Sequence, residues 1–334
     1  MKKGIAVAGN MILDTIYSVN HYPQSGELAT IEDNVIKATG GALCNVIVDL
    51  AKLDATLPLT ALGVIGDDEA GSFIEAYLST YPNIDRSQIV REGTTSFTAV
   101  MSDCSTKQRT FFHFRGANAK FSEKHIDWNR LNVDILHIGY ILLLDELDRP
   151  DNKFGTKMAR LLASARSRGI KTSIDVVTDS EDRFKTIVPP TLKYTNYCII
   201  NEVEAERTTS IALRDNDNII NEEKMVLALA AIKEMGVSDW VVVHAPEGGY
   251  GLNCVTGEIV KARSLRLPEG YIKGTNGAGD AFCAGAIYGA YLEKPLTEAI
   301  ELGAACAACS LSEPGATEGM RSYDEALKLY QKMK

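Results

Sequence analysis

Lys273-Gly274-Thr275-Asn276-Gly277-Ala278-Gly279-Asp280-Ala281-Phe282 is the stretch on which the reading of this chain turns. Small residues crowd up to a single acid. The next residues, Cys283-Ala284-Gly285-Ala286-Ile287-Tyr288-Gly289-Ala290-Tyr291, are apolar and enough for a buried helix. The pattern predicts a helix that starts at the small residues, with Asp280 in its first turn. Free backbone N–H groups and the positive end of the helix dipole point outward at such a start, which makes it an anion site. A carboxylate there repels a bound phosphate, unless it takes a proton from whatever attacks that phosphate. Taken alone, the stretch fits a glycine-rich turn with Asp280 as a helix cap just as well. The rest of the chain has to decide.

The chain has 334 residues, which suits one large α/β domain or two modest ones with ample core. Apolar residues make up 45% and charged residues 24%, as in an ordinary soluble protein. A net charge of −9 offers no basic face, so nucleic acid is not an expected partner. Met1-Lys2-Lys3-Gly4 runs straight into a strand-like segment without the apolar region of a signal peptide, and no apolar run reaches membrane-spanning length. Seven scattered cysteines, an odd number, point to reduced thiols and a cytoplasmic protein. Cys306-Ala307-Ala308-Cys309 lies in an Ala-rich helical run with no second Cys or His pair nearby. It reads as helix packing rather than as a redox or zinc site.

Gly4 to Gly9 reads as a buried first strand, and Asp14 lies just past its end. Ligands of open α/β sheets bind at the carboxyl ends of strands, although a turn residue would look the same. Ser18 to Val35 is polar and irregular and closes on the alternating Ala29-Thr30-Ile31-Glu32-Asp33-Asn34-Val35, read as part of a small β extension. Thr39-Gly40-Gly41-Ala42-Leu43-Cys44-Asn45 opens a helix through about Leu53. Its paired glycines let a ligand approach the backbone, and Asn45 can both donate and accept hydrogen bonds. Thr98–Ser102 and Arg109–Phe114 read as a hairpin, followed by Gly116-Ala117-Asn118. From Asp134 onward strands and helices alternate, which implies a parallel sheet with covering helices. The strands are placed at Ile135–Ile138, Lys171–Val176, Tyr197–Ile200 and Trp240–His244, and the helices at Lys157–Gly169 and Met225–Met235. No linker or repeat cuts the chain, so residues 1–334 are read as a single domain. Asp215 to Asn218 reads as a surface loop, and Asp67-Asp68 as a capped helix start. The phosphate-loop pattern GxxxxGK[ST], the protein-kinase motif set, HExxH and GxSxG are all absent.

Taken in order, these stretches resemble the ribokinase-like (PfkB) carbohydrate kinases over nearly the whole chain. Gly277-Ala278-Gly279-Asp280 is similar to the family's C-terminal signature, which commonly reads Asp-Thr-x-Gly-Ala-Gly-Asp. Gly40-Gly41-x-x-x-Asn45 resembles its N-terminal signature, Leu57 to Gly71 continues the match, Asn201-x-x-Glu204 matches the Asn-x-x-Glu motif, and Gly315-Ala316 matches a late Gly-Ala. The resemblance implies a three-layer αβα fold with a mainly parallel central sheet and a small β lid from about residues 15–36 and 94–118. It implies transfer of the γ-phosphate of ATP to a sugar hydroxyl. Asp280 would be the base, and the N–H groups of Gly277, Ala278 and Gly279 an anion hole. Asp14, Gly40, Gly41, Asn45 and Asn118 would hold the sugar. Arg115 would read a carboxylate bidentately or stand as an exposed lid arginine. Asn201, Glu204, His244, Gly249 and Thr275 would line ATP, with Asn201 and Glu204 placing Mg²⁺ through water.

The sequence departs from the family in two places. His244 and Pro246 stand where smaller residues are usual, which weakens the contact assigned to His244. Gly274 replaces a frequent Asp that helps bind a monovalent cation, which argues against potassium activation. A simple or acidic sugar of ribose, fructose or 2-keto-3-deoxygluconate type is the first expectation for the acceptor. A nucleoside stacked on Phe111, Phe112 or Phe114 is the second. A sugar- or nucleotide-binding regulator without catalysis is a different class, and the intact Asp280 argues against it. Lid strands with open edges lead to a homodimer as the expected assembly.

Overall fold

Every position of the strand Ile5–Ala8 is buried, because it lies inside a sheet covered on both faces. The computed structural model describes residues 2–32, 35–106, 108–178 and 183–334. Met1, and Asp33 and Asn34 of the alternating stretch, lie outside the described residues. The large sheet has nine strands. In spatial order they are Ile259–Arg263, Gly248–Asn253, Trp240–Ala245, Tyr197–Asn201, Lys171–Val176, Ile135–Ile141, Ile5–Ala8, Leu59–Ile65 and Ile84–Arg91. All pairings from Trp240–Ala245 across to Ile84–Arg91 are parallel. Alternation along each strand divides the core. Ile5, Val7 and Val242 pack on the side of the helices Ala42–Leu53, Ala278–Tyr291 and Leu296–Ser310. Ala6, Ala8, Val241 and Val243 pack on the side of Lys157–Ser167, Phe184–Leu192 and Glu222–Glu234. This is the expected three-layer αβα arrangement. Fully enclosed side chains such as Ile47 and Leu50 each contribute roughly 1.5–3 kcal/mol and fix the helix Ala42–Leu53 against the sheet. Among the described residues no helix is long and apolar enough to cross a membrane.

A second sheet has four strands in the order Ile36–Gly40, Ile12–Val19, Ser96–Asp103, Arg109–Phe114. Its outer pairings are antiparallel and its central one is parallel. The chain enters it directly after Ile5–Ala8, so the two sheets meet at the carboxyl end of that strand.

The stretch read as part of a small β extension lies along Ile12–Val19: among its described residues Ile31 makes an isolated bridge to Val19, and the strand Ile36–Gly40 follows. Antiparallel pairing to Ile12–Val19 selects Ile36–Gly40 because that register brings Gly40 opposite Ile12 and Ala38 opposite Asp14. After His244, Pro246 and Glu247 form a turn, and Gly248–Asn253 is a strand that returns antiparallel along Trp240–Ala245. Its glycines are what the packing requires. A Cβ on Gly249 or Gly251 would lie 2.5 Å from Ile300 on the helix Leu296–Ser310. Cys306 and Cys309 are buried in that same helix as free thiols.

Candidate active site

The helix Ala278–Tyr291 begins where the sequence pattern places it. Gly277 is its N-cap at φ 73°, with Ala278 and Gly279 in the first turn. A side chain at Gly277 would be strained by that φ and would also meet the Ala316 carbonyl at 2.6 Å. Ser310 ties the turn from behind, donating to the carbonyls of Asn276 at 3.3 Å and Ala316 at 3.1 Å. Gly315-Ala316 is thus a buttress for the anion turn.

Asp280 is buried in that first turn. One oxygen, Oδ2, accepts from Asn45 Nδ2 at 2.8 Å and from the Tyr140 hydroxyl at 3.0 Å. Burial pushes its pKa up to about 6, against the pull of the two donors. The carboxylate is therefore ionised at neutral pH yet more basic than an exposed aspartate. It opens on a cavity of about 270 Å³ lined by Tyr140, Asp175, Asn201, Glu204, His244 and Gly279, among others.

Asn201 and Glu204 form the other wall. Asn201 caps the helix Glu202–Thr209, accepting from Glu204 N at 2.9 Å. Glu204 in turn accepts from Asn201 N at 2.9 Å, from Asn201 Nδ2 at 2.7 Å and from Thr178 at 2.9 Å. Burial still raises Glu204 to about 7. Asp175, at the end of Lys171–Val176, is raised well above the usual range by burial and by the charges of Glu204 and Asp280. A bound cation would relieve this concentration of buried acid. Among the described residues no three acid, His or Cys side chains are grouped closely enough to hold a metal directly. The Glu204 carboxylate and the Asn201 amide, side by side on the cavity wall, are oxygen donors of the kind that fits a Mg²⁺ held through water. The half-buried His244 packs on Phe282, ring centroids 4.9 Å apart, and burial lowers its pKa to about 4. It is a neutral wall.

Asn45 joins this end to the second sheet. Gly41 caps its helix at φ 87°, and a Cβ at Gly40 would lie 2.3 Å from Asp14 Oδ2. The first glycine makes room for the Asp14 carboxylate, and the second turns the chain into the helix. Burial pushes Asp14 up to about 6, opposed by a hydrogen bond from Thr98. Thr98 also bonds His113 Nδ1 at 3.1 Å.

Of the sequence-selected residues, Gly277, Gly279, Asp280, Asn201, Glu204 and His244 line this cavity, whereas Ala278, Asp14, Gly40, Gly41, Asn45, Asn118, Arg115, Gly249 and Thr275 stand apart from its lining. Asn118 is buried and clamps Met11, accepting from its N–H and donating to its carbonyl, both at 3.1 Å. Arg115 Nη1 donates to Asp145 at 2.6 Å and to the Leu142 carbonyl at 3.1 Å. Gly249 is buried under Phe282 and Ile300, and Thr275 lies exposed before the anion turn.

The profile of the pfkB family carbohydrate kinases matches residues 2–322. The chain belongs to that family. As a pfkB-family carbohydrate kinase it is a phosphotransferase acting on sugar hydroxyls. It is similar to ribokinase of Haemophilus influenzae, 24% identical over 99% of both chains. Probable fructokinase-7 of Arabidopsis thaliana is 26% identical over 95% of this chain and 89% of its own. The solved structure of Arabidopsis thaliana ribokinase complexed with ribose and ATP shares the fold, with a TM-score of 0.80 at 21% identity over 99% of each chain.

Tyr140, Asp175 and Thr178 of this pfkB-family site lie outside the sequence motifs. Asp175 carried a usable signal, an acid at the end of an apolar parallel strand. Tyr140 carried none, because its orientation depends on a local break in strand pairing.

Proposed function

We propose that this carbohydrate kinase transfers the γ-phosphate of ATP to a hydroxyl of a small sugar or sugar acid, with Asp280 as general base. One observation carries the reading: a buried carboxylate, fixed through a single oxygen, sits in the first turn of a helix whose N-terminus faces the cavity. The acceptor hydroxyl gives its proton to Asp280 as its oxygen attacks the γ-phosphorus. The N–H groups of Gly277, Ala278 and Gly279 stabilise the charge that builds on the transferring group. Asn201, Glu204, His244 and Thr275 border the nucleotide, with Gly249 supporting them from beneath. Asn201 and Glu204 would hold Mg²⁺ through water, and the ion supplies neutralisation of phosphate charge. Asp14, Gly40, Gly41 and Asn45 take the sugar, while Asn118 keeps the Met11 backbone in place beside them.

Arg115 favours a neutral sugar over an acid, because a substrate carboxylate has to compete with Asp145 for it. The second sheet acts as the lid that excludes water from the acceptor position. Its strand pairing sets Phe97, Phe112 and Phe114 on the face opposite Asp14, with exposures of 42%, 51% and 44%. That outer aromatic face, bounded by the edge strand Arg109–Phe114, supports a homodimer in which a second copy covers it. Seven free thiols support work in the reducing cytoplasm.

The test is ADP release with Mg-ATP and a panel of ribose, fructose, 5-dehydro-2-deoxygluconate, 2-keto-3-deoxygluconate and adenosine. Turnover with one sugar that vanishes in Asp280→Asn is the expected result. Turnover with adenosine alone would overturn the sugar assignment.

A further inference from the structure

The strand Ile135–Ile141 alternates regularly as far as Gly139. Leu136 and Ile138 pack in the core layer of the helix Lys157–Ser167. His137 points the other way, pairing with Ser173 at 3.1 Å and lying 4.0 Å from Cys283 on the helix Ala278–Tyr291. Continued alternation would send Tyr140 after Leu136 and Ile138, away from Asp280. The pairing with Lys171–Val176 breaks instead. Ile174 is paired with Ile138 and Val176 with Ile141, so Gly139 and Tyr140 together oppose Asp175. Within this bulge Tyr140 has φ 57°, a left-handed conformation that a bulky side chain rarely takes. The outcome is that the phenol crosses to the helix side and donates to Asp280 Oδ2 at 3.0 Å. Backbone strain that aims one side chain at a reacting group marks a functional position.

We propose that Tyr140 is a positioning residue for phosphoryl transfer: with Asn45 it holds Oδ2 of Asp280, so that Oδ1 alone faces the acceptor hydroxyl. The proposal rests on Asp280 being the general base. In the step it serves, the acceptor O–H proton passes to Oδ1 and the acceptor oxygen bonds to the γ-phosphorus. The bond from that phosphorus to the β–γ bridging oxygen breaks, and ADP leaves. Without the phenol the carboxylate is held by Asn45 alone and turns about that single bond. Burial and the charges of Asp280 and Asp175 keep the Tyr140 hydroxyl protonated, so it remains a donor.

The titratable groups around Asp280 are Asp49 on the helix Ala42–Leu53, Tyr140 on Ile135–Ile141, Asp175 on Lys171–Val176, and Cys283 one turn along its own helix. Glu204 lines the same cavity and acts on Asp175, and His244 faces Gly279. Of these only Tyr140 donates a hydrogen bond to Asp280, so its removal has a defined sign.

The test compares wild type, Tyr140→Phe and Asp280→Asn. Phenylalanine keeps the ring and removes only the donor. Loss of one hydrogen bond to a charged group lowers kcat roughly ten- to a hundredfold. The KM for ATP stays within about twofold, and the acid limb of kcat/KM moves to higher pH. Carboxyl ¹³C NMR titration of the free enzyme, with the Asp280 resonance assigned by its loss in Asp280→Asn, reads the same upward shift without any acceptor. A Tyr140→Phe protein that melts lower but keeps wild-type kcat and an unmoved Asp280 titration would reduce Tyr140 to packing and overturn the proposal. If Asp280→Asn abolishes turnover while Tyr140→Phe leaves kcat and titration unchanged, the positioning role falls and the kinase reading stands. If Asp280→Asn turns over like wild type, the base assignment falls and this proposal with it.

Discussion

Asp280 and Asp14 are both aspartates pushed up to about 6 by burial, yet the two ends of the site hold them differently. Asp280 sits in the first turn of a buried helix, with Asn45 and Tyr140 on one oxygen and a buttressed turn behind it. Asp14 sits in a four-stranded sheet with open edges, steadied by Thr98 and admitted by the absence of a side chain at Gly40. The phosphate end is set by the packing of the three layers. The acceptor end is set by strand register in a sheet that has fewer neighbours. On the proposed assignment, chemistry that must not vary is carried by the first kind of structure, and recognition of one acceptor among many by the second. If that division holds, mutations at the two ends separate in kinetics.

Asp280→Asn is expected to produce the largest effect, a fall in kcat of roughly two to four orders of magnitude with KM for the sugar little changed. Steady-state ADP release checks it, and equal losses in kcat and sugar affinity would erase the distinction between the ends. Gly40→Ala is the counterpart. Its Cβ would stand 2.3 Å from Asp14 Oδ2, so the carboxylate has to move. Sugar KM is expected to rise by roughly tenfold or more while kcat at saturation stays near wild type, as for a displacement costing one to a few kcal/mol.

Asp14 and Asp280 are raised to about 6, and Glu204 and Asp148 to about 7. Each binds its proton more tightly when folded than when unfolded. The stability this gives is full at low pH, below the ordinary carboxylate pKa, and is lost as pH rises through about 6 to 7. Activity runs the other way, because the base has to be ionised. Between pH of about 6 and 5, kcat/KM is expected to fall by about tenfold per unit or more while Tm rises, above the range in which carboxylates held below their usual pKa, such as Asp68 and Glu92, begin to lose their stabilising charge. Asp280→Asn should raise Tm near neutral pH, since an amide accepts from Asn45 and Tyr140 without carrying a buried charge. Differential scanning calorimetry across pH on both proteins decides this. A Tm that climbs with pH would contradict it.

Legibility in the sequence divides along the same line. The anion turn, the helix after it and the base are contiguous, so Gly277 to Asp280 could be read in one place. Alternation of strands and helices gave the parallel sheet, because its apolar runs are buried on both faces. The strand Gly248–Asn253 was hidden because its glycines answer to Ile300, a residue roughly fifty positions on, rather than to local propensity. Ile36–Gly40 was hidden because register with Ile12–Val19, not alternation, selects it. Tyr140 was hidden because only a bulge against Asp175 turns it toward the base. Nothing in the sequence neighbours of Asn118 and Arg115 announces the Met11 backbone or Asp145 as their partners.

The smallest expected effect lies at the outer face of the small sheet. Phe97, Phe112 and Phe114 face away from Asp14, and the Phe97 and Phe114 rings pair with centroids 5.2 Å apart. Phe111 alone of the three hairpin phenylalanines shares the Asp14 face. Replacing Phe112 with Ser therefore removes apolar area from the surface proposed for a second copy, while leaving the proposed acceptor side untouched. Sedimentation velocity is expected to show dimers dissociating at protein concentrations roughly tenfold higher than for wild type, for a loss of about 1–2 kcal/mol. kcat at saturating substrates should hold. Phe111→Ser should do the reverse, raising sugar KM and leaving assembly alone. If Phe112→Ser instead raised sugar KM with assembly unchanged, the small sheet would present its other face to the acceptor, and the assignment of Asp14 to the sugar would have to be withdrawn.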